Sequence, residues 1–144
     1  FNNSNVQPQI ANILQNLYTY IDTFKVLEPS ALSCLETIFK VLEGSVVNYL
    51  DPFIGMFKTI FGLLNHGYNY ESLKNIFECV GNLVVYVQKD QNSIAKVYKD
   101  LLPQLNALID KNDSDIMNFV LQIYALMLRY IPGGFPDDVK VGQF

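Results

Sequence analysis

Three stretches of this chain can be laid over one another, and that repetition constrains its fold more than any other feature. Leu35-Glu-Thr-Ile-Phe-Lys-Val-Leu42 matches Leu73-Lys-Asn-Ile-Phe-Glu-Cys-Val80, and both match Val120-Leu-Gln-Ile-Tyr-Ala-Leu-Met127. Ile38, Ile76 and Ile123 fall in register, each followed by an aromatic residue: Phe39, Phe77 or Tyr124. A second series repeats between them: Pro8-Gln-Ile, Pro52-Phe-Ile and Pro103-Gln-Leu. Successive offsets are 38 and 47 residues in the first series, and 44 and 51 in the second. Self-similarity at a period of about 40 to 50 residues is the mark of stacked repeats, each too small to bury its own apolar face.

The repeating unit is helical. Apolar residues recur at helical spacing over six segments, beginning with Val6, Ile10, Ile13, Leu14, Leu17, Ile21 and Phe24. The sixth, Ile116 to Ile131, is apolar almost all round, which predicts burial on most sides. No useful length alternates with period two, so no strand is expected. Helix starts are expected at Glu28-Pro29-Ser30, Asn69, Ser93 and Asn112-Asp113-Ser114, where side-chain oxygens can accept from free first-turn amides. Gly44 and the His66-Gly67 pair are expected to close the second and third helices. Pro52 and Pro103 follow residues that already read as helical, which predicts bends there. The expected fold is all-α: an α-α solenoid of about three HEAT repeats, six antiparallel helices in all. The repeats span about 6–43, 46–88 and 93–131, followed by an extended tail over 132–144.

Composition narrows the partners. Half of the 144 residues are hydrophobic and 17% are charged, against roughly 25% charged in an ordinary soluble domain. Such an apolar surplus in a small chain predicts faces covered by more protein or by a bound lipid. The net charge is −4 and no basic stripe exists, which excludes nucleic acid as the expected partner. No apolar run approaches the roughly 18 residues that membrane insertion needs. The chain starts at Phe1 with no signal-peptide pattern, and is expected to be an engineered piece, a processed chain or the visible part of a longer one.

No catalytic constellation is visible. His66 has no Cys or Asp at ligand spacing and reads as a turn residue. Cys79 aligns with Val41 and Leu126, so it occupies a core position as a small hydrophobe. Cys34 aligns with Ser72 and Phe119 and is no better a nucleophile. The run Asp110 to Asp115 lacks the glycine and closing glutamate of a calcium loop and reads as helix capping. Neither a cofactor nor a metal is expected, and binding rather than catalysis is the expected activity. Candidate binding residues lie off the apolar stripe of the second helix in the first two repeats: Glu36, Lys40, Glu43, Lys74, Asn75 and Glu78. A ligand pouch is the competing use for the nineteen Phe and Tyr residues, although aromatics at helical spacing are more often core.

With the repeats in place, the text resembles the importin-β superfamily, and within it the CAS-type exportins that return importin-α to the cytoplasm. The resemblance runs from about Val6 to Ile131. It rests on Pro8-Gln-Ile-Ala-Asn-Ile-Leu-Gln-Asn-Leu17, Tyr49-Leu-Asp-Pro-Phe-Ile54, Tyr70-Glu-Ser-Leu-Lys-Asn-Ile-Phe-Glu-Cys79 and Asn112-Asp-Ser-Asp-Ile-Met-Asn-Phe-Val-Leu-Gln-Ile123. These are packing and capping positions, and the tail after Ile131 has no counterpart. The resemblance implies a nuclear transport receptor segment that binds the Ran GTPase in its GTP state together with importin-α. It implies a home in nucleus and cytoplasm, with further repeats of the same solenoid at both ends. A plain HEAT scaffold, another importin-like receptor and a helical lipid-binding protein stand as alternatives.

Overall fold

The computed structural model describes residues 3–25 and 27–130. Six α-helices lie among them: α1 (Asn3–Phe24), α2 (Pro29–Leu42), α3 (Leu50–Leu63), α4 (Tyr70–Val87), α5 (Gln91–Ile109) and α6 (Ser114–Tyr130). No strand occurs among the described residues. The tail expected over 132–144 lies outside them.

Local chemistry sets most helix ends. The Asn69 side chain accepts from the Ser72 amide at 2.7 Å, and Asp113 accepts from the Asp115 and Ile116 amides at 3.0 and 3.1 Å. Each satisfies donors that have no partner inside the helix. At α2, Pro29 occupies the first turn, where a missing amide costs nothing. The expected start at Ser93 is corrected: Asp90 caps α5, accepting from the Asn92 amide at 3.2 Å and from the Ser93 hydroxyl at 2.7 Å. The end expected at Gly44 falls one residue earlier, at Glu43, with φ +48° and its amide donating to the Phe39 carbonyl. A 3-10 stretch, Glu43–Tyr49, then leads into α3. Gly67, at φ +111°, follows His66 in a backbone region that side chains disfavour.

Only one of the two prolines expected to bend a helix lies in a helix interior. Pro103 is inside α5. Pro52 is the third residue of α3, where the amide it lacks would have no helical acceptor, so it starts the helix instead of bending it.

The helices stack in two rows. α2 packs on α4 and α4 on α6, while α1 packs on α3 and α3 on α5; α1–α2 and α5–α6 join the rows. Short turns force this alternation. An aromatic ladder runs through the interior. Phe39 stacks on Phe53 (ring centroids 4.4 Å apart), Phe57 on Phe61 (6.1 Å), Phe61 on Phe77 (6.0 Å), and Phe77 on Phe119 (5.4 Å). It crosses α2, α3, α4 and α6, so the repeats share one continuous core. Ile38, Ile76 and Ile123, with Phe39, Phe77 and Tyr124, are each at most 5% exposed, as the register requires.

Polar ties hold the turns in line. The Ser72 hydroxyl donates to the Leu27 carbonyl at 2.8 Å, linking the start of α4 to the α1–α2 turn. Tyr68 donates to Asp113, linking the turn before α4 to the turn before α6. Both span the same 45 residues of sequence. Burial and then the Asp113 carboxylate push the Tyr68 hydroxyl up to about 12. The same bond, with the two capping amides, holds the Asp113 carboxyl below its ordinary value.

Candidate interaction face on the even-numbered helices

On α4, Lys74, Glu78 and Gly81 recur at i, i+4 and i+7, and therefore share one face of the helix. On α6, Gln122, Ala125 and Arg129 do the same at i, i+3 and i+7. These two faces meet across an open groove of about 350 Å³ floored by Phe77, Phe119, Ile123 and Leu126. Phe119 meets Tyr70 and Phe77, and Gly81 faces Ile123 and Leu126, so the two helices run parallel. Lys74 and Arg129 consequently stand at opposite ends of the groove. Among the described residues neither they nor Glu78 belong to an ion pair.

Gly81, which has no side chain, lines the groove. A Cβ there would sit 3.6 Å from Leu126 Cδ2 and 3.9 Å from Ile123 Cδ1, in ordinary van der Waals contact. Its φ is not positive, so the backbone does not require glycine either.

The six residues singled out from sequence divide between the two helices. Glu36 and Lys40 form an exposed-edge ion pair on α2 at 3.4 Å. Glu43 ends α2 and is exposed. Lys74 and Glu78 line the groove, whereas Asn75 is half-buried on α4 and does not line it. Gly81, Gln122 and Arg129 were missed, although the i, i+4, i+7 spacing of Lys74, Glu78 and Gly81 was readable.

Across the repeats, equivalent positions change character. Glu36, Lys74 and Leu121 correspond, as do Lys40, Glu78 and Ala125, and Glu43, Gly81 and Leu128. Leu121 and Leu128 are 45% and 47% exposed. The face therefore grades from charged on α2 to apolar on α6. Ile116, Phe119, Val120 and Ile123 of α6 are buried within the chain, and its open apolar positions are their neighbours Leu121 and Leu128.

The other row carries a groove of about 370 Å³ between α1 and α3, lined by Leu14, Tyr18, Pro52, Gly55 and Met56. Its one carboxylate, Asp51, is paired with Lys96 at 3.0 Å. The cysteines lie apart from both grooves. Cys34 is exposed, and Cys79 is buried with its thiol 3.8 Å from the Leu32 carbonyl and its pKa pushed up, chiefly by burial. A thiol so placed is a poor nucleophile. His66 is exposed in its turn. Among the described residues no group of three His, Cys, Asp or Glu side chains could hold a metal, and no helix is long and apolar enough to cross a membrane.

A two-row stack of HEAT-like helix pairs is shared by many binding proteins, and sequence comparison separates them. The family model for the CAS/CSE protein C-terminus matches residues 1–141. This chain belongs to the CAS/CSE family. The match takes in most of the segment after Ile131, which by resemblance alone had no counterpart. CAS/CSE proteins are exportin-type transport receptors of the importin-β superfamily. They act by binding proteins, are not an enzyme family, and move between nucleus and cytoplasm. No curated protein and no solved structure matches the chain.

Proposed function

We propose that this chain is a HEAT-solenoid segment of an exportin that binds RanGTP and importin-α together. The repeats would span about 6–43, 46–88 and 93–131, with further repeats of the same protein stacked on both ends. The CAS/CSE match over residues 1–141 carries this reading. The even-numbered helices support it: Lys74 and Glu78 line the open groove between α4 and α6, while Glu36, Lys40 and Glu43 lie on α2. Asn75 is the weakest member of that set, being half-buried outside the groove. The protein works in nucleus and cytoplasm, as a carrier crossing between them must.

Binding of the two partners is coupled: each tightens the other by the same factor, since linkage between binding equilibria is reciprocal. A pull-down of importin-α with the natural full-length protein tests this, with Ran present in its GDP form or loaded with a non-hydrolysable GTP analogue. Recovery that rises with the GTP form is expected. Equal recovery in both lanes overturns the exportin reading and leaves a plain HEAT scaffold.

A further inference from the structure

The groove between α4 and α6 has a shape and charge that define its occupant. Its floor is apolar, with Phe77, Phe119, Ile123 and Leu126 beside Gly81. Leu121 and Leu128 stand one helical turn either side of Ala125 and extend the apolar surface beyond the groove's edge. No sheet edge exists among the described residues, so an extended peptide would find no ladder of backbone partners here. An occupant that satisfies its own backbone hydrogen bonds fits better, and that is a helix.

Charge narrows its chemistry. The chain as a whole is acidic, at −4, yet the groove carries two cations, Lys74 and Arg129, against the single carboxylate of Glu78. The two cations sit at opposite ends and are unpaired among the described residues. We propose that the α4–α6 groove seats an amphipathic helix of a partner protein, its apolar stripe over Gly81 and Leu126 and its carboxylates meeting Lys74 and Arg129. Glu78, between the two cations, faces a neutral or basic residue midway along that helix. Apolar anchors at i, i+3 or i+4, and i+7 fill the floor, in the usual manner of helix-in-groove binding. The inference rests on the protein-binding reading above and names the chemistry of the segment bound.

The absent side chain at Gly81 supplies the test. Gly81→Leu lays four carbons over Leu126 and Ile123, closing the groove from within, and Ala125→Leu closes it from an exposed position. Gly62→Ala on α3, which lines neither groove and whose Cβ would meet open space, serves as the control. The probe is a capped helical peptide of about 15 residues, long enough for measurable helicity. It carries leucines at i, i+3, i+4 and i+7, Glu near both ends and Lys in the middle; a second peptide has these charges reversed. Binding is read by fluorescence anisotropy on the full chain, with circular dichroism melts alongside.

The acidic-ended peptide should bind wild type and Gly62→Ala equally. Gly81→Leu and Ala125→Leu should each weaken it by at least about tenfold, the scale of losing an apolar anchor, with melts unchanged. Lys74→Ala with Arg129→Ala should weaken it about threefold to tenfold and remove the preference over the charge-reversed peptide. Equal binding of both peptides to wild type overturns the proposal, as does undiminished binding to both leucine variants. Sedimentation of the unliganded chain adds one more contrary result. A dimer abolished by Gly81→Leu would make a second copy the occupant. Failure of the peptide arm with intact GTP-dependent importin-α recovery removes the helix proposal alone. Loss of GTP dependence with intact peptide binding removes the exportin reading alone.

Discussion

The two sides of α4 are built from the same repeat yet finished differently. Toward α2 the junction is closed: Cys79 is fully buried against Leu32, and Val80, Leu83 and Val84 are buried with it. Toward α6 the junction carries an open groove, which Gly81 lines beside Ile123 and Leu126. In a repeat protein, equivalent positions tell which parts serve stacking and which are free to serve binding: those that stay apolar and buried hold the stack. Ile38, Ile76 and Ile123 belong to the first kind. Glu43, Gly81 and Leu128, three unlike residues at one repeat position, belong to the second.

That contrast can be broken most forcefully at the aromatic ladder. Phe77 is 4% exposed and touches both Phe61 and Phe119. Phe77→Ala should cost on the order of 3–5 kcal/mol in chemical denaturation. An unchanged midpoint would mean that the repeats do not share one core.

The next largest effect sets the closed junction against the open one directly. Cys79→Leu inserts two carbons where nothing is empty, and overpacking of this kind typically costs about 1–3 kcal/mol. Gly81→Leu adds more atoms two residues away, at a half-buried position on the groove where its first carbon makes only ordinary contacts, and should leave stability unchanged or raised. Gly81→Ala should gain up to about 1 kcal/mol from helix propensity. Equal losses at positions 79 and 81 would show the groove to be a packing gap and no more.

A smaller effect concerns the turn edge. Asp113→Ala removes a helix cap and the Tyr68 tie, and should cost about 1 kcal/mol. The sign of its pH dependence follows from the lowered carboxyl pKa, caused first by the Tyr68 hydroxyl bond. The unfolded chain takes up the Asp113 proton before the folded chain does. The stability from this site is therefore present above 3.8, the ordinary value, and is lost as pH falls below it. Asp113→Asn should flatten that part of the acid melting curve; an identical slope would place the acid sensitivity elsewhere.

Much of the stack was legible from residue order, and the reason is physical. The apolar stripes ending in Ile38-Phe39, Ile76-Phe77 and Ile123-Tyr124 encode burial locally, residue by residue. Asn69 and Asp113 likewise cap helices through atoms within three residues of them. The start of α5 was misplaced because Asp90 and Ser93 both offer a capping oxygen, and only packing shows Ser93 buried and donating. Pro52 was misread as a bend because a proline reads alike in the first turn and in the interior until the helix start is known. Half of the groove was out of reach for a different reason. Lys74 and Glu78 could be placed on a face of α4, but Gln122 and Arg129 join them only when α6 packs alongside.

Hydrogen exchange on the full-length protein, with and without importin-α and RanGTP, tests most directly whether the open junction is where this segment binds. Amides of 74–81 on α4 and 119–129 on α6 should slow on complex formation, while those of 11–18 on α1 and 53–56 on α3, along the opposite groove, should not change. Protection confined to α1 and α3, with α4 and α6 exchanging as in the free protein, would contradict the account.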